Sequence, residues 1–255
     1  MATKDTHNPK DSSATESKKD SAGFKRPDGR KVDETRHMKA EVGIIPNADG
    51  SAMFSFGDTV AIAAVYGPKQ LHPQHLQNPE TGILRCDYSM LSFSVTERIR
   101  PGTSRRSQEI SKVTEWALAP AVNIKDFPNT VVDVHINILQ ADASTRCAGI
   151  NAAALALAHA GVPMNDIVSS VSIGKLDRQL VVDVSKAEED WEEGEGATDI
   201  PFAFTGGRIA LLQLDGKIRP KELKEAAKLA EKTLKKVYEV QKEALKKAGI
   251  KEESK

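Results

Sequence analysis

The segment spanning residues 130–161 constrains the fold more than any other part of the chain. It opens with TVVDVHINILQADA, in which apolar side chains alternate along one face of a strand: Val132, Val134, Ile136 and Ile138. Small residues then lead into CAGINAAALALAHAG, an alanine-rich helix that Gly161 and Pro163 bring to an end. The pattern predicts a strand, a tight turn and a helix in direct succession.

Similar patterns on both sides of this segment predict further strands and helices. Apolar runs separated by turn residues indicate strands at residues 41–45, 52–56, 60–66 and 83–91. A helix follows in SQEISKVTEWALAPAV, which Pro120 should kink or end. Two strands around residues 175–179, a last hairpin in RIALLQLDGKI and a long amphipathic helix from Pro220 complete the pattern. Strands followed by helices, twice over, indicate a mixed α/β (α+β) domain.

Composition sets the limits that we expect for this domain. Residues 1–22 contain no Ile, Leu, Val or aromatic residue, so they cannot bury enough apolar area to offset the entropy of ordering. We therefore expect a disordered tail at 1–22, one domain at 23–248 and a flexible tail at 249–255. No apolar run approaches the roughly 18 residues that span a bilayer, and the amino terminus lacks the apolar stretch of a secretory signal. We expect a cytoplasmic protein with no membrane partner.

The first candidate site lies where the strand of residues 130–140 meets the helix. The unpaired amides at a helix amino terminus bind anions, and here Ser144 and Thr145 can add hydroxyl donors while Arg146 adds a charged fork. This arrangement favours a phosphate-binding turn. Ordinary capping by Asp142 or Ser144, with Arg146 in water, is the alternative.

The second candidate site contains acidic residues. Asp183 is the fourth residue of the run LVVDV, and Glu189 follows six residues later beside Asp190. Two carboxylates that converge on a bound phosphate could hold a divalent cation or supply a proton to a leaving oxygen. The alternative is a solvated acidic loop after a strand.

The third candidate site is a basic segment interrupted by Pro, Gly, Thr and Ser. Its arginines are Arg98, Arg100, Arg105 and Arg106. The planar guanidinium suits phosphodiester oxygens, and the interruption predicts a mobile loop able to follow a flexible strand. A solvated loop or a contact between subunits would show the same composition.

Seven motifs occur in the order and spacing typical of the RNase PH family. They are KRPDGRKVDETR, NADGSA, GDTVAIAAVYGP, TSRRSQEISKV, LQADASTR, HAGVPM and VVDV. The similarity covers about residues 24–246, and it is greatest to the catalytic RNase PH-like subunits of archaeal exosomes. The resemblance implies an RNase PH-like fold with two sheet-and-helix halves in one domain.

The resemblance also implies an activity, phosphorolytic 3′ to 5′ exoribonuclease. Inorganic phosphate, as co-substrate, attacks the terminal phosphodiester and releases a nucleoside diphosphate, and the reverse reaction extends RNA. Carried over by position, the phosphate-binding turn falls on Ser144, Thr145 and Arg146. The family usually has glycine where Ser144 stands.

Further roles follow from the same resemblance. The essential acid falls on Asp183, and the second acid, usually Asp in the family, falls on Glu189 or on Asp190. A magnesium ion is expected at Asp183 and Glu189. The expected RNA-binding residues are Arg85, Arg98, Arg100, Arg105 and Arg106.

The expected partners are single-stranded RNA, a paralogous non-catalytic RNase PH-like subunit in a hexameric ring, and RNA-binding cap subunits. Two other functions remain open at this point. One is a bacterial-type homohexameric RNase PH that trims transfer RNA 3′ ends. The other is a non-catalytic ring subunit that only binds RNA, against which the presence of both Asp183 and Arg146 argues.

Overall fold

A computed structural model of the protein describes residues 26–192, 194 and 196–253. The expected tail at residues 1–22 lies outside this part of the chain. The α-helices of the described residues are α1 (Arg105–Leu118), α2 (Thr145–His159), α3 (Lys186–Glu189) and α4 (Pro220–Glu253). No helix in these ranges is both long and apolar enough to cross a bilayer.

The first sheet contains five strands in the order β1-β2-β3-β5-β4. They are β1 (Met38–Val42), β2 (Gly50–Phe56), β3 (Thr59–Gln70), β4 (Ile83–Met90) and β5 (Thr130–Gln140). The first three strands form the expected antiparallel meander, and β5 runs antiparallel to β3. β4 is parallel to β5, with α1 in the crossover between them. Because parallel strands end at the same edge, the segments that follow β4 and β5 meet there.

The second sheet contains four antiparallel strands in the order β7-β6-β8-β9. They are β6 (Ser169–Leu176), β7 (Gln179–Val182), β8 (Ala197–Thr205) and β9 (Arg208–Leu212). The predicted hairpin within residues 208–218 does not form. Residues 208–212 form the strand β9, which instead makes a hairpin with the preceding strand β8 through Gly206 and Gly207. Strand β8 was not predicted, since it contains Pro201, and proline is rare in a strand paired on both sides.

Helix α2 lies between the two sheets. It packs on β2, β3 and β5 of the first sheet and on β6 and β8 of the second. The helix approaches β2 closely at Gly50, where a Cβ atom would lie 2.3 Å from the carbonyl oxygen of Ala156. Buried apolar residues of both sheets and of α2 and α4 form one continuous core cluster.

Two helix boundaries differ from expectation. Ser104 caps α1 through a reciprocal hydrogen-bond pair with Ser107, so Arg105 and Arg106 lie in the first helical turn rather than in a loop. Helix α4 continues through Gly249 to Glu253, so the boundary expected at residue 248 is not a helix end. One helical glycine costs only about 1 kcal/mol relative to alanine, too little to end a long helix. The expected end of α1 before Pro120 is confirmed.

Candidate active site

The turn that joins β5 to α2, residues 141–146, leaves the amino terminus of α2 open. Ala143 and Ser144 both have φ of 53°, in the left-handed region. The Ser144 hydroxyl is directed away from the helix and donates to the carbonyl oxygen of Val184 at 3.0 Å. The first-turn amides have no intrahelical acceptors, so they are available to an anion. We call residues 141–146 the α2 turn.

Arg146 lies beside these amides with much of its donor capacity unused. Its side chain is 19% exposed, and one terminal nitrogen, Nη2, lies 3.4 Å from Glu109 Oε2. Its Nε atom is buried and finds no hydrogen-bond partner among the described residues. A guanidinium in this state can donate to an oxyanion in front of the helix.

The capping alternative is wrong for this turn. Asp142 accepts hydrogen bonds from the Lys186 amide at 2.9 Å and from Arg36 Nη1 at 3.0 Å. The Thr145 hydroxyl accepts from the phenol of Tyr88 at 3.0 Å. Arg146 is largely buried rather than solvated.

A cleft of about 310 Å³ opens in front of the α2 turn. Apolar walls come from β4 and from residues 91–104, which we call the arginine loop; they include Met90, Val95 and Ile99. The charged side chains that line the cleft are Arg106, Arg146, Lys186, Glu189, Asp199 and Asp215. Cations and carboxylates therefore face the same space, as phosphoryl transfer between two anionic partners requires.

Asp183 does not occupy the position expected of it. Its carboxylate is fully buried and lies outside the set of described residues that line the cleft. A left-handed backbone, with φ of 56°, directs it to Arg36, whose Nη2 lies 2.7 Å away, and to Arg30 at 3.4 Å. The solvated-loop alternative is also wrong for this residue. The geometry gives Asp183 a buried ion pair behind the described residues that line the cleft.

Three consecutive acidic residues after Asp183 have different environments. Glu188 is buried, and its carboxylate pairs with Arg26 at 2.6 Å. Glu189 and Asp190 both pair with Lys186, at 3.3 and 2.7 Å. Glu189 lines the cleft, and Asp190 is exposed outside the lining set of the described residues. Of the two alternatives for the second acid, Glu189 is the one at the cleft.

Asp199, on β8, is the acidic residue that the sequence reasoning missed. It lines the cleft and accepts a short hydrogen bond from the Ser172 hydroxyl. Burial raises the pKa of Asp199, and the Glu189 and Asp215 carboxylates add to the rise against the opposing effects of Ser172 and Arg146. An acidic residue inside the apolar run of β8 was the available signal, but β8 itself was not predicted.

The candidate RNA-binding arginines are spread over two regions. Arg106 lines the cleft, and Arg105 precedes it in the first turn of α1. Arg98 and Arg100 are exposed on the arginine loop. Arg85 is paired with Asp133 at 2.6 Å, five residues before the end of β4, which places it about 16 Å from the cleft edge of that strand.

Comparisons with known protein families identify two matched regions in this chain. The profile described as "3' exoribonuclease family, domain 1" matches residues 34–163, and "3' exoribonuclease family, domain 2" matches residues 166–233. The first match contains all five strands of the first sheet, and the second contains all four strands of the second sheet. The cleft lies between residues of both matches.

Two archaeal proteins of the same name are similar to this chain over most of its length. Exosome complex component Rrp41 of Thermococcus gammatolerans is 51% identical over 229 residues, 89% of this chain and 90% of the relative. The Methanopyrus kandleri protein of the same name is 48% identical over 223 residues, 87% of this chain and 92% of the relative.

Two structures share the fold at 22% identity. Rice Rrp46 has a TM-score of 0.77 and matches 87% of this chain and 100% of that one. An Archaeoglobus fulgidus exosome with RNA bound to the active site has a TM-score of 0.74 and matches 84% and 92%. With profile matches over most of its length and relatives at half identity, the chain belongs to the RNase PH family of 3′ exoribonucleases.

Proposed function

We propose that this chain is a phosphorolytic 3′ to 5′ exoribonuclease and the catalytic subunit of an exosome-type ring. One observation carries the proposal: the open amino terminus of α2, the unpartnered Nε of Arg146 and the protonatable carboxyl of Asp199 face one cleft. The family uses inorganic phosphate as its nucleophile. Phosphate attacks the last phosphodiester, the bond to the 3′ oxygen breaks, and a nucleoside diphosphate leaves.

The α2 turn is the proposed phosphate site. Backbone amides of the first helical turn and the guanidinium of Arg146 would donate to phosphate oxygens, and the Thr145 hydroxyl lies in the same wall of the cleft. Ser144 acts here through its backbone, since its hydroxyl is bound to Val184. Its left-handed conformation is one that glycine adopts without cost, which fits the glycine that the family usually has there.

Asp199, rather than Asp183, is the proposed acid. The leaving 3′ oxygen needs a proton as the bond to phosphorus breaks, and a carboxyl whose pKa is raised by burial holds that proton more readily. Lys186 and Arg146 offset the negative charge of the two phosphates.

Magnesium is the proposed metal, held by Glu189 together with phosphate oxygens of the substrates. Magnesium in phosphoryl-transfer sites commonly binds one or two carboxylates together with substrate phosphates, and Glu189 lines the cleft. Glu189 fits that donor set, although no group of three or more metal-ligating side chains occurs within the described ranges. When bound, the ion would neutralise charge on the phosphate oxygens.

RNA is proposed to approach the cleft along the arginines nearest to it. Arg106 and Arg105 begin α1 at the cleft, and Arg98 and Arg100 extend the positive charge along the arginine loop. Backbone contacts carry no base identity, so degradation should depend little on sequence. Arg85 is a more distant candidate for the same path.

The proposed partners follow from the relatives, which are named as exosome components. We expect a hexameric ring with a paralogous non-catalytic RNase PH-like subunit, RNA-binding cap subunits and a cytoplasmic location. The edge strand β9 lies beside α1, and a ring neighbour could cover the exposed apolar residues of this region. They are Trp116, Ile209, Leu212 and Leu214.

The test is degradation of 5′-labelled RNA by the purified chain, alone and with a paralogous RNase PH-like partner, with and without phosphate. We expect shortening only with phosphate, release of nucleoside diphosphates, and RNA extension when diphosphates are in excess. Monophosphate products formed without phosphate contradict the proposal. Full activity of the chain alone as a homohexamer favours the bacterial-type alternative. RNA binding without shortening, even with the partner, favours the non-catalytic alternative.

A further inference from the structure

Phe93, in the arginine loop, is the most exposed large apolar side chain of the described residues. It is 74% exposed, against 59% for Trp116, the other exposed aromatic residue of this group. A single exposed apolar side chain is common on protein surfaces, so it is the surroundings of Phe93 that give it significance.

Phe93 belongs to the loop whose residues Val95 and Ile99 line the cleft. The amide of Leu91 donates to Ile138 of β5 at 3.1 Å, and the amide of Ala141 in the α2 turn donates to the carbonyl of Ser94 at 2.8 Å. Ser94 is buried, and the Ile99 amide closes the loop onto Ser92 at 3.2 Å. Phe93 therefore stands between anchored neighbours, one residue from a direct backbone bond to the α2 turn.

Charge indicates what kind of molecule covers this ring. Residues 91–106 contain four arginines and one acidic residue, Glu97. Arg106 lines the cleft, and Arg98 and Arg100 are exposed within a few residues of Phe93. Aromatic rings among cations are the pattern by which proteins hold single-stranded nucleic acid without reading its sequence.

We propose that Phe93 is a stacking platform for a base near the 3′ end of the RNA. This inference rests on the proposed function, which brings that end into the adjacent cleft. Stacking accepts every base, so the platform adds affinity and holds the strand as the arginines bind its phosphates, without adding base preference. Phe93 thereby binds the substrate in addition to the arginines and the α2 turn.

The test combines protein variants with RNAs that each lack one base. Wild type, Phe93→Ala and Phe93→Trp, assembled with the ring partner, are titrated without phosphate against RNAs abasic at one of the last four positions. For intact RNA we expect Phe93→Ala to weaken binding roughly 5- to 100-fold and Phe93→Trp to restore it. For RNA abasic at the stacked position, wild type and Phe93→Ala should bind equally. Leu76→Ala is the control, because Leu76 is an exposed apolar side chain outside the described residues that line the cleft, and its loss should leave binding unchanged.

Two results overturn the proposal: an unchanged affinity in Phe93→Ala, or an equal loss on intact and on every abasic RNA. If Phe93→Ala fails to assemble, a neighbouring subunit covers the Phe93 side chain and the proposal is wrong. Wild-type phosphorolysis, measured first, separates these failures from failure of the proposed function.

Discussion

Arg36 and Asp183 form a two-point ion pair, with Arg36 Nη2 2.7 Å from Asp183 Oδ1 and Arg36 Nε 3.0 Å from Oδ2. The Arg36 amide adds a third bond to Oδ2 at 2.8 Å. Burial lowers the pKa of Arg36, but Asp183 and Asp142 outweigh it, so the pKa is raised. Arg36 also binds Asp142 of the α2 turn, and thus ties that turn to the segment after β7.

Asp183→Asn should therefore act mainly on stability. It leaves a buried guanidinium without its main partner, and breaking a buried pair costs about 3–5 kcal/mol. We expect a decrease of about 3 kcal/mol in the free energy of unfolding by urea, because Asp142 remains nearby. Asp142→Asn, at a more exposed carboxylate, is the control and should lower stability less. Wild-type stability with turnover abolished would instead return Asp183 to a catalytic role.

Arg146→Ala should raise the KM for phosphate about 10- to 100-fold, since a hydrogen bond to a charged group contributes roughly 1.5–3 kcal/mol. The steady-state rate against phosphate concentration measures it. Arg85→Ala removes an arginine distant from the cleft and should leave the KM for phosphate unchanged. Equal behaviour of the two variants would place Arg146 outside the phosphate site.

Asp199→Asn should abolish turnover and stabilise the folded chain at neutral pH. Burial raises the folded pKa of Asp199 above 3.8, so the folded state binds the proton more tightly than the unfolded state. The charged carboxylate then lowers stability above the folded pKa, and this effect disappears below 3.8. The gain in Tm should be larger at higher pH and shrink as the pH falls toward 3.8. A constant gain across this range would show that the pKa is not raised.

Glu189→Gln and Asp190→Asn should differ, because only the first changes a residue that lines the cleft. We expect Glu189→Gln to raise the magnesium concentration needed for half-maximal rate and Asp190→Asn to leave it near wild type. Both carboxylates pair with Lys186, so disruption of that pair is matched between the two variants. The reverse order would make Asp190 the second acid.

Arg105→Ala and Arg106→Ala should weaken binding of RNAs of different sequence about equally. Removing one phosphate-binding arginine lowers the slope of log affinity against log salt by about 0.7 for single strands. Arg106→Ala should have the larger effect, because Arg106 lines the cleft. Particle size is measured before titration, since at a subunit interface the weaker RNA binding would follow dissociation of the ring. An intact ring with unchanged affinity and slope would exclude both residues from the RNA path.

Sequence patterns were informative where function depends on neighbouring residues. The strand β5, the turn at Ser144 and the helix α2 are contiguous, so periodicity and turn chemistry sufficed to predict an anion site. The acidic side of the site was different. Asp183 follows the apolar residues of one strand and Asp199 lies within the apolar residues of another, so the alternation of apolar and polar residues does not distinguish their environments. What separates them is a left-handed backbone at Asp183 and an arginine 147 positions earlier, which no local pattern contains.

The ion pairs that join the segment before β1 to the segment after β7 also set an order of events in synthesis. Arg26 and its partner Glu188 are 162 residues apart, and Arg36 and Asp183 are 147 apart. At ribosomal rates of about 5–20 residues per second, Arg36 would wait about 7–30 seconds for its carboxylate. The first sheet can form in that time, but the link that Arg36 makes between the α2 turn and the segment after β7 cannot. The α2 turn therefore stays untied to that segment until synthesis has passed Asp183.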